Sequence, residues 1–156
     1  MRILVISDSH GNAPLALQAC DMAGTFDALF HLGDGGEDAE ILAHALDIKV
    51  FHVAGNCDHG SSSPRELFLE CEGKRLLLMH GDACGVKSGL GILEKRARET
   101  EVDAVLFGHT HRATVTNLSG ILAVNPGTLI RTAQQKTFAI LEITPAGISA
   151  QLFDIG

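Results

Sequence analysis

Residues 2 to 12 read RILVISDSHGN, an apolar run that stops abruptly at Ser7, Asp8, Ser9 and His10. With no polar alternation, such a run reads as a strand buried on both faces, and Pro14 then opens a helical pattern over 14–23. A strand, a polar turn and a helix make the basic unit of an α/β fold. Similar apolar runs occur at 27–32, 49–53, 75–79 and 103–107, with helical patterns at 37–46 and 88–100. On the last of these, Leu90, Leu93 and Ala97 mark an apolar stripe, and Ser88 is placed to cap it. After 112 come short strands at 113–118, 121–124, 137–143 and 148–153, separated by SG, NPGT and TPAG turns. These predict an antiparallel meander, so the fold class is mixed α/β with stacked sheets flanked by helices.

Composition narrows the function. The chain has 156 residues, 46% of them hydrophobic, enough for one domain over 1–156 that buries about two-thirds of its unfolded surface. The opening segment reads as a strand and not a signal peptide, and no stretch has the roughly 18 to 20 consecutive apolar residues of a membrane span. Cys20, Cys57, Cys71 and Cys84 form no CxxC pair, which points to a reducing cytoplasm and away from disulfide staples or a structural zinc knot. A formal charge of −7 offers no broad basic surface for a duplex, so a small ligand is expected in place of stable nucleic-acid or membrane binding. Assembly with further copies of the chain is left open.

Each front strand runs into a polar cluster: DSH at 8–10, GD at 33–34, GNCD at 55–58, HGD at 80–82 and GHTH at 108–111. The carboxyl ends of strands are where α/β sheets bind ligands. Singly, each cluster has a structural reading, with Asp8 as a helix cap, GD and GN as turns, and His80 as a satisfied buried histidine. Together they place carboxylate, imidazole and amide oxygen after five strands, and burying such groups without compensation is costly. Asp8 and His10 are two apart, as are His109 and His111, so in extended backbone each pair projects to one side. Four His, two Asp and one Asn suit Mn, Fe, Ni or Zn better than Ca.

In order and spacing, these five clusters resemble the motifs of the calcineurin-like metallophosphoesterases, most closely the small YfcE-type phosphodiesterase branch, and NPGT at 125–128 with Arg131 resembles that branch's NPGS region. The resemblance implies a four-layer α/β/β/α sandwich of two packed mixed sheets flanked by helices. It also implies two divalent ions, manganese first, with nickel, iron and zinc as alternatives. One would be held by Asp8, His10 and His111, the other by Asn56, His80 and His109, with Asp34 bridging. Asn56 would then be neutral because its carbonyl oxygen is a ligand that adds no charge. The implied reaction is hydrolysis of a small phosphodiester by a hydroxide bridging the two ions.

Asp34, Asn56, Cys57 and Asp58 are the residues expected nearest the reaction. Cys57 stands where many members of the wider family have a histidine that protonates the leaving alkoxide; the YfcE-type branch shares the GNCD form, and a thiol is the poorer donor. Asp58 is expected to orient the turn. His59 is a stand-in acid or a loop histidine, and His31 a residue behind the ligands; His44 and His52 receive no chemistry. Asp82 stands where HGH is frequent in the family; its charge is expected to weaken dianionic monoesters more than diesters, with Asn12 or Arg112 contacting the ester from the rim. Two other readings stand beside this one. A phosphomonoesterase or protein phosphatase would use the same site, and a non-enzymatic scaffold of the retromer-subunit type would use the same fold.

Overall fold

A computed structural model describes residues 1–155. In chain order the elements are β1 (Arg2–Ile6), α1 (Ala13–Ala23), β2 (Ala28–His31), α2 (Gly36–Ala45), β3 (Lys49–His52), β4 (Glu66–Cys71) and β5 (Lys74–Met79). A short 3-10 turn at Asp82–Cys84 follows, then α3 (Gly91–Glu99), β6 (Ala104–Leu106), β7 (Thr114–Leu118), β8 (Ile121–Asn125), β9 (Thr137–Thr144) and β10 (Gly147–Asp154). They form two mixed five-stranded sheets, one ordered β10-β9-β1-β2-β3 and the other β4-β5-β6-β8-β7.

Strand alternation explains why the middle of each inner strand is apolar on both faces. On β1, Ile3 and Val5 face the second sheet and meet Leu76, Leu78, Leu106 and Val124, while Leu4 and Ile6 face outward onto Ala16, Ala19 and Leu42 of α1 and α2. On β5 and β6, Leu77 and Val105 point away from the first sheet and pack on Leu93 and Ala97 of α3. Helices, sheet, sheet and helix therefore form four layers, as the resemblance implies, and the middle of each inner strand is buried on both faces.

Three readings of the sequence are corrected. β4 is absent from the apolar runs because it is an edge strand: Leu67 and Leu69 pack onto the inter-sheet core while Phe68 between them is 46% exposed. The tail is not one meander. β7 and β8 form a hairpin within the second sheet, where β8 lies parallel to β6; β9 and β10 form a hairpin within the first, where β9 lies antiparallel to β1. Buried on nearly every residue, β8 and β9 each need cover from two neighbours, which a lone meander cannot give. Finally, α3 begins at Gly91 with Leu90 at its cap, and Ser88 instead bonds back to Gly85 in a turn. Gly89, at φ 145°, breaks the helical path between them.

Candidate metal centre

The loops after β1, β2, β3, β5 and β6 meet at one end of the two sheets. Asp8, His10, Asp34, His109 and His111 all have left-handed backbone, with φ between 44° and 69°. This overturns the expectation that the DSH and GHTH pairs converge through extended chain. Each such residue costs roughly 1–3 kcal/mol and persists only where its surroundings fix it.

Those surroundings are hydrogen bonds between loops. The backbone N–H of Asp8 donates to Gly33 and that of His10 to Asp34. One oxygen of Asp8, Oδ2, accepts from the Ser7 hydroxyl and the His109 N–H, while Thr128 Oγ1 donates to the Asp8 carbonyl. Asn125 Nδ2 reaches both the Gly108 carbonyl (3.1 Å) and Thr110 Oγ1 (2.9 Å), so the NPGT segment anchors the DSH and GHTH loops together. Asp58 is the staple of the other side. Its Oδ2 accepts from the N–H groups of Asp34 and Gly55 and its Oδ1 from those of Gly35 and Gly36, all within 3.0 Å. Burial alone would raise its pKa, but these four donors hold it below the usual carboxylate range.

With one oxygen of each carboxylate engaged, the other is left facing the imidazoles. Asp8 Oδ1 lies 3.1 Å from His111 Nε2 and 3.8 Å from His10 Nε2. Asp34 gives Oδ1 to the Cys57 N–H (2.8 Å), and its Oδ2 lies between His80 Nε2 (3.2 Å) and His10 Nε2 (3.7 Å). The Leu32 carbonyl takes the Nδ1 proton of His80, which turns Nε2 inward, 3.2 Å from His109 Nδ1. Burial opposes charge on Asp8 and Asp34, yet the imidazoles and N–H donors around them hold both below the ordinary carboxylate range. For His80, the same carboxylates outweigh burial and raise its pKa.

The donor atoms of Asp8, His10 and His111 lie within 4.8 Å of one another, as do those of Asp34, His80 and His109. The residues fit a pair of cations on a second ground: His10 Nε2 is buried and has no hydrogen-bond partner. A metal ion would satisfy it, and the oxygen and nitrogen donor set suits a borderline divalent cation.

The remaining candidates are spread around this cluster. Asn56 is exposed, with its amide nitrogen 3.6 Å from the sulfur of Cys57, which is also exposed. Burial and the Asp34 carboxylate push the Cys57 thiol up. Asn12 is buried, and its amide donates to the Leu129 carbonyl; Arg112 is exposed beside the GHTH loop. Asp82 does not present a free charge, because Arg65 Nη2 lies 2.6 Å from its Oδ2.

His31, fully buried, belongs to a proton-ordered chain behind the donor cluster. Gly33 N–H donates to its Nδ1, its Nε2 donates to Ser9 Oγ, and Ser9 donates to Asp38 Oδ2, which also accepts the Gly11 N–H. That order requires a neutral ring, and burial, aided by the neighbouring His52, lowers the His31 pKa to about 4. Asp38 and Arg65 escape sequence reading, and Ser9, Asn125 and Thr128 are marked only as parts of DSH and NPGT, because the partner of each lies elsewhere in the chain.

A cavity of about 450 Å³ opens beside the cluster. His10, Asp34 and Cys57 line it together with Glu37, Asp38, Glu40, Asp58, two further histidines and Ser61–Ser63, with no Lys or Arg.

Residues 1–145 match the calcineurin-like phosphoesterase superfamily domain. A probable metallophosphoesterase of Bacillus subtilis, YsnB, is 33% identical over 99% of this chain and 91% of its own length. Among solved structures, an archaeal phosphodiesterase superposes with a TM-score of 0.78 at 19% identity, covering 98% of this chain and all of the other. Vps29 of Entamoeba histolytica, complexed with zinc, superposes with a TM-score of 0.79 at 22% identity over the whole of both chains. At these identities the two structures show a shared fold.

Proposed function

The chain belongs to the calcineurin-like phosphoesterase superfamily, and we propose that within it this molecule hydrolyses small phosphodiesters with two divalent metal ions, manganese first among them. The observation that carries the proposal is the pair of donor clusters joined through Asp34 Oδ2, which faces His80 on one side and the unpartnered Nε2 of His10 on the other. Asp8, His10 and His111 would hold one ion, and Asn56, His80 and His109 the other, with Asp34 shared. Bound there, two dications lower the pKa of water and clamp the attacking and leaving oxygens of an in-line phosphoryl displacement.

The chain's own residues set the rest. Asp8 and Asp34 bring two negative charges, and the neutral Asn56 adds none, so a loaded site keeps a positive face for a phosphate oxyanion. Asp58 keeps the Asp34 and Asn56 loops in register through its four backbone contacts. At the position of Cys57 there is no imidazole, so that position offers no strong proton donor to a departing alkoxide, which favours esters of acidic alcohols. Since Arg65 neutralises Asp82, the preference for diesters rests instead on the cavity. Glu37 and Glu40 line it with no cation to offset them, which disfavours the second charge of a monoester dianion. The shared fold with an archaeal phosphodiesterase supports the same reading.

Among the described residues no helix is long and apolar enough to cross a membrane, and four free cysteines agree with a reducing, cytoplasmic setting. The fold shared with Vps29 supports a second reading, a scaffold whose function is assembly. Hydrolysis separates these. With equal Mn²⁺ and pH, bis(p-nitrophenyl) phosphate is expected to show the larger specificity constant against p-nitrophenyl phosphate. A larger constant for the monoester overturns the diesterase reading, and no turnover of either returns the scaffold.

A further inference from the structure

The sulfur of Cys57, a ring nitrogen of His10 and a carboxylate oxygen of Asp34 form a third group of donors, all within 4.8 Å of one another. The group is pinned at both ends: the Cys57 N–H donates to Asp34 Oδ1 at 2.8 Å, and His10 Nε2 lies 3.7 Å from Asp34 Oδ2 with no hydrogen-bond partner of its own. All three residues line the cavity, and Cys57 is exposed. Every other donor in the centre is oxygen or nitrogen, so this thiol is the only soft one in reach among the described residues.

From this placement we infer that Cys57 is itself a metal ligand, joining His10 and Asp34 around a thiophilic ion such as Zn²⁺, Co²⁺ or Cd²⁺. The thiol proton is released to solvent as the sulfur–metal bond forms, so thiophilic loading liberates one proton more than Mn²⁺ loading does. Thiolate selects zinc-like ions, whereas the oxygen-rich remainder of the site accepts manganese, so Cys57 decides which metal the centre retains. It also accounts for a thiol where a proton donor would otherwise stand.

The inference rests on the metal centre proposed above, and cobalt separates the two. The metal-stripped chain is loaded with Co²⁺, its metal content is measured, and the near-ultraviolet thiolate-to-cobalt charge-transfer band is recorded for wild type and Cys57→Ser. Wild type is expected to show the band, and Cys57→Ser to lose it while still binding cobalt. Cd²⁺ affinity should fall about tenfold or more in the variant, since losing even an outer-shell partner commonly costs that much, and Mn²⁺ affinity should fall less. Bound Zn²⁺ should protect Cys57 of the wild-type chain from alkylation, a measurement that needs no variant. Cobalt bound without a band, a band that survives in Cys57→Ser, or equal alkylation of Cys57 with and without Zn²⁺ overturns the thiolate ligand and leaves the two-metal reading standing. Failure to bind cobalt or manganese at all overturns both.

Discussion

Asp58 shows how one side chain can matter more to a site than some residues that face the ligand. Its carboxylate takes four backbone N–H groups from the two loops that carry Asp34 and Asn56, so its role is to hold turns and not to move protons. Hydrogen bonds to a charged acceptor are worth about 1.5–3 kcal/mol, and Asp58→Ala leaves several donors unpaired at once. The variant should lose about 3 kcal/mol or more in urea denaturation, and a loss under about 1 kcal/mol would refute the staple. His31 supports the opposite side. Its folded pKa of about 4 lies below the usual value near 6.5, so the unfolded chain takes up the proton first as pH falls. Its contribution is therefore complete above about pH 6.5 and declines between there and pH 4, by up to about 3 kcal/mol. His31→Gln should flatten that part of the stability profile relative to wild type; parallel profiles would count against the neutral, proton-ordered ring.

At the scale of elements, the loops interlock closely enough that two glycines have no room for a side chain. A Cβ on Gly55 would overlap Asp34 Oδ1 and its backbone nitrogen, and one on Gly108 would overlap Ser7 Oγ and Asp8 Oδ2. Gly55→Ala should therefore displace Asp34 and weaken Mn²⁺ binding about tenfold or more, read by calorimetric titration; unchanged affinity would mean that the loops give way freely. The sequence revealed these loops because imidazoles and carboxylates stand out against apolar strands. It did not reveal what holds them. Arg65 meets Asp82 across 17 positions, and Thr128 meets the Asp8 carbonyl across 120, distances that only the closed fold brings to contact. The left-handed φ values of Asp8, His10, His109 and His111 were equally hidden, because nothing in DSH or GHTH marks them as other than extended. β4 escaped for a physical reason too: an edge strand buried on one face alternates, and its exposed Phe68 disguises the alternation. The hairpins after 112 were legible as hairpins, but the sheet each joins depends on which buried neighbour lacks cover.

Across the whole molecule, the two sheets deliver five loops to one place, and each sheet contributes to both donor clusters. Asp8 and His10 follow β1 of the first sheet and meet His111 from the second; Asp34 follows β2 and meets His80 and His109. Metal ions bound there tie the sheets together, so loading should raise the thermal midpoint. At a free concentration 100 times Kd, one site contributes about 2.7 kcal/mol, worth roughly 5–10 °C in a chain of this size. The most direct test of the account is a titration of the metal-stripped chain with Mn²⁺ while bis(p-nitrophenyl) phosphate hydrolysis is followed. Turnover should be negligible without metal, should rise with added Mn²⁺ and should level off at two equivalents per chain. Saturation at one equivalent, or hydrolysis that does not depend on metal, would contradict it.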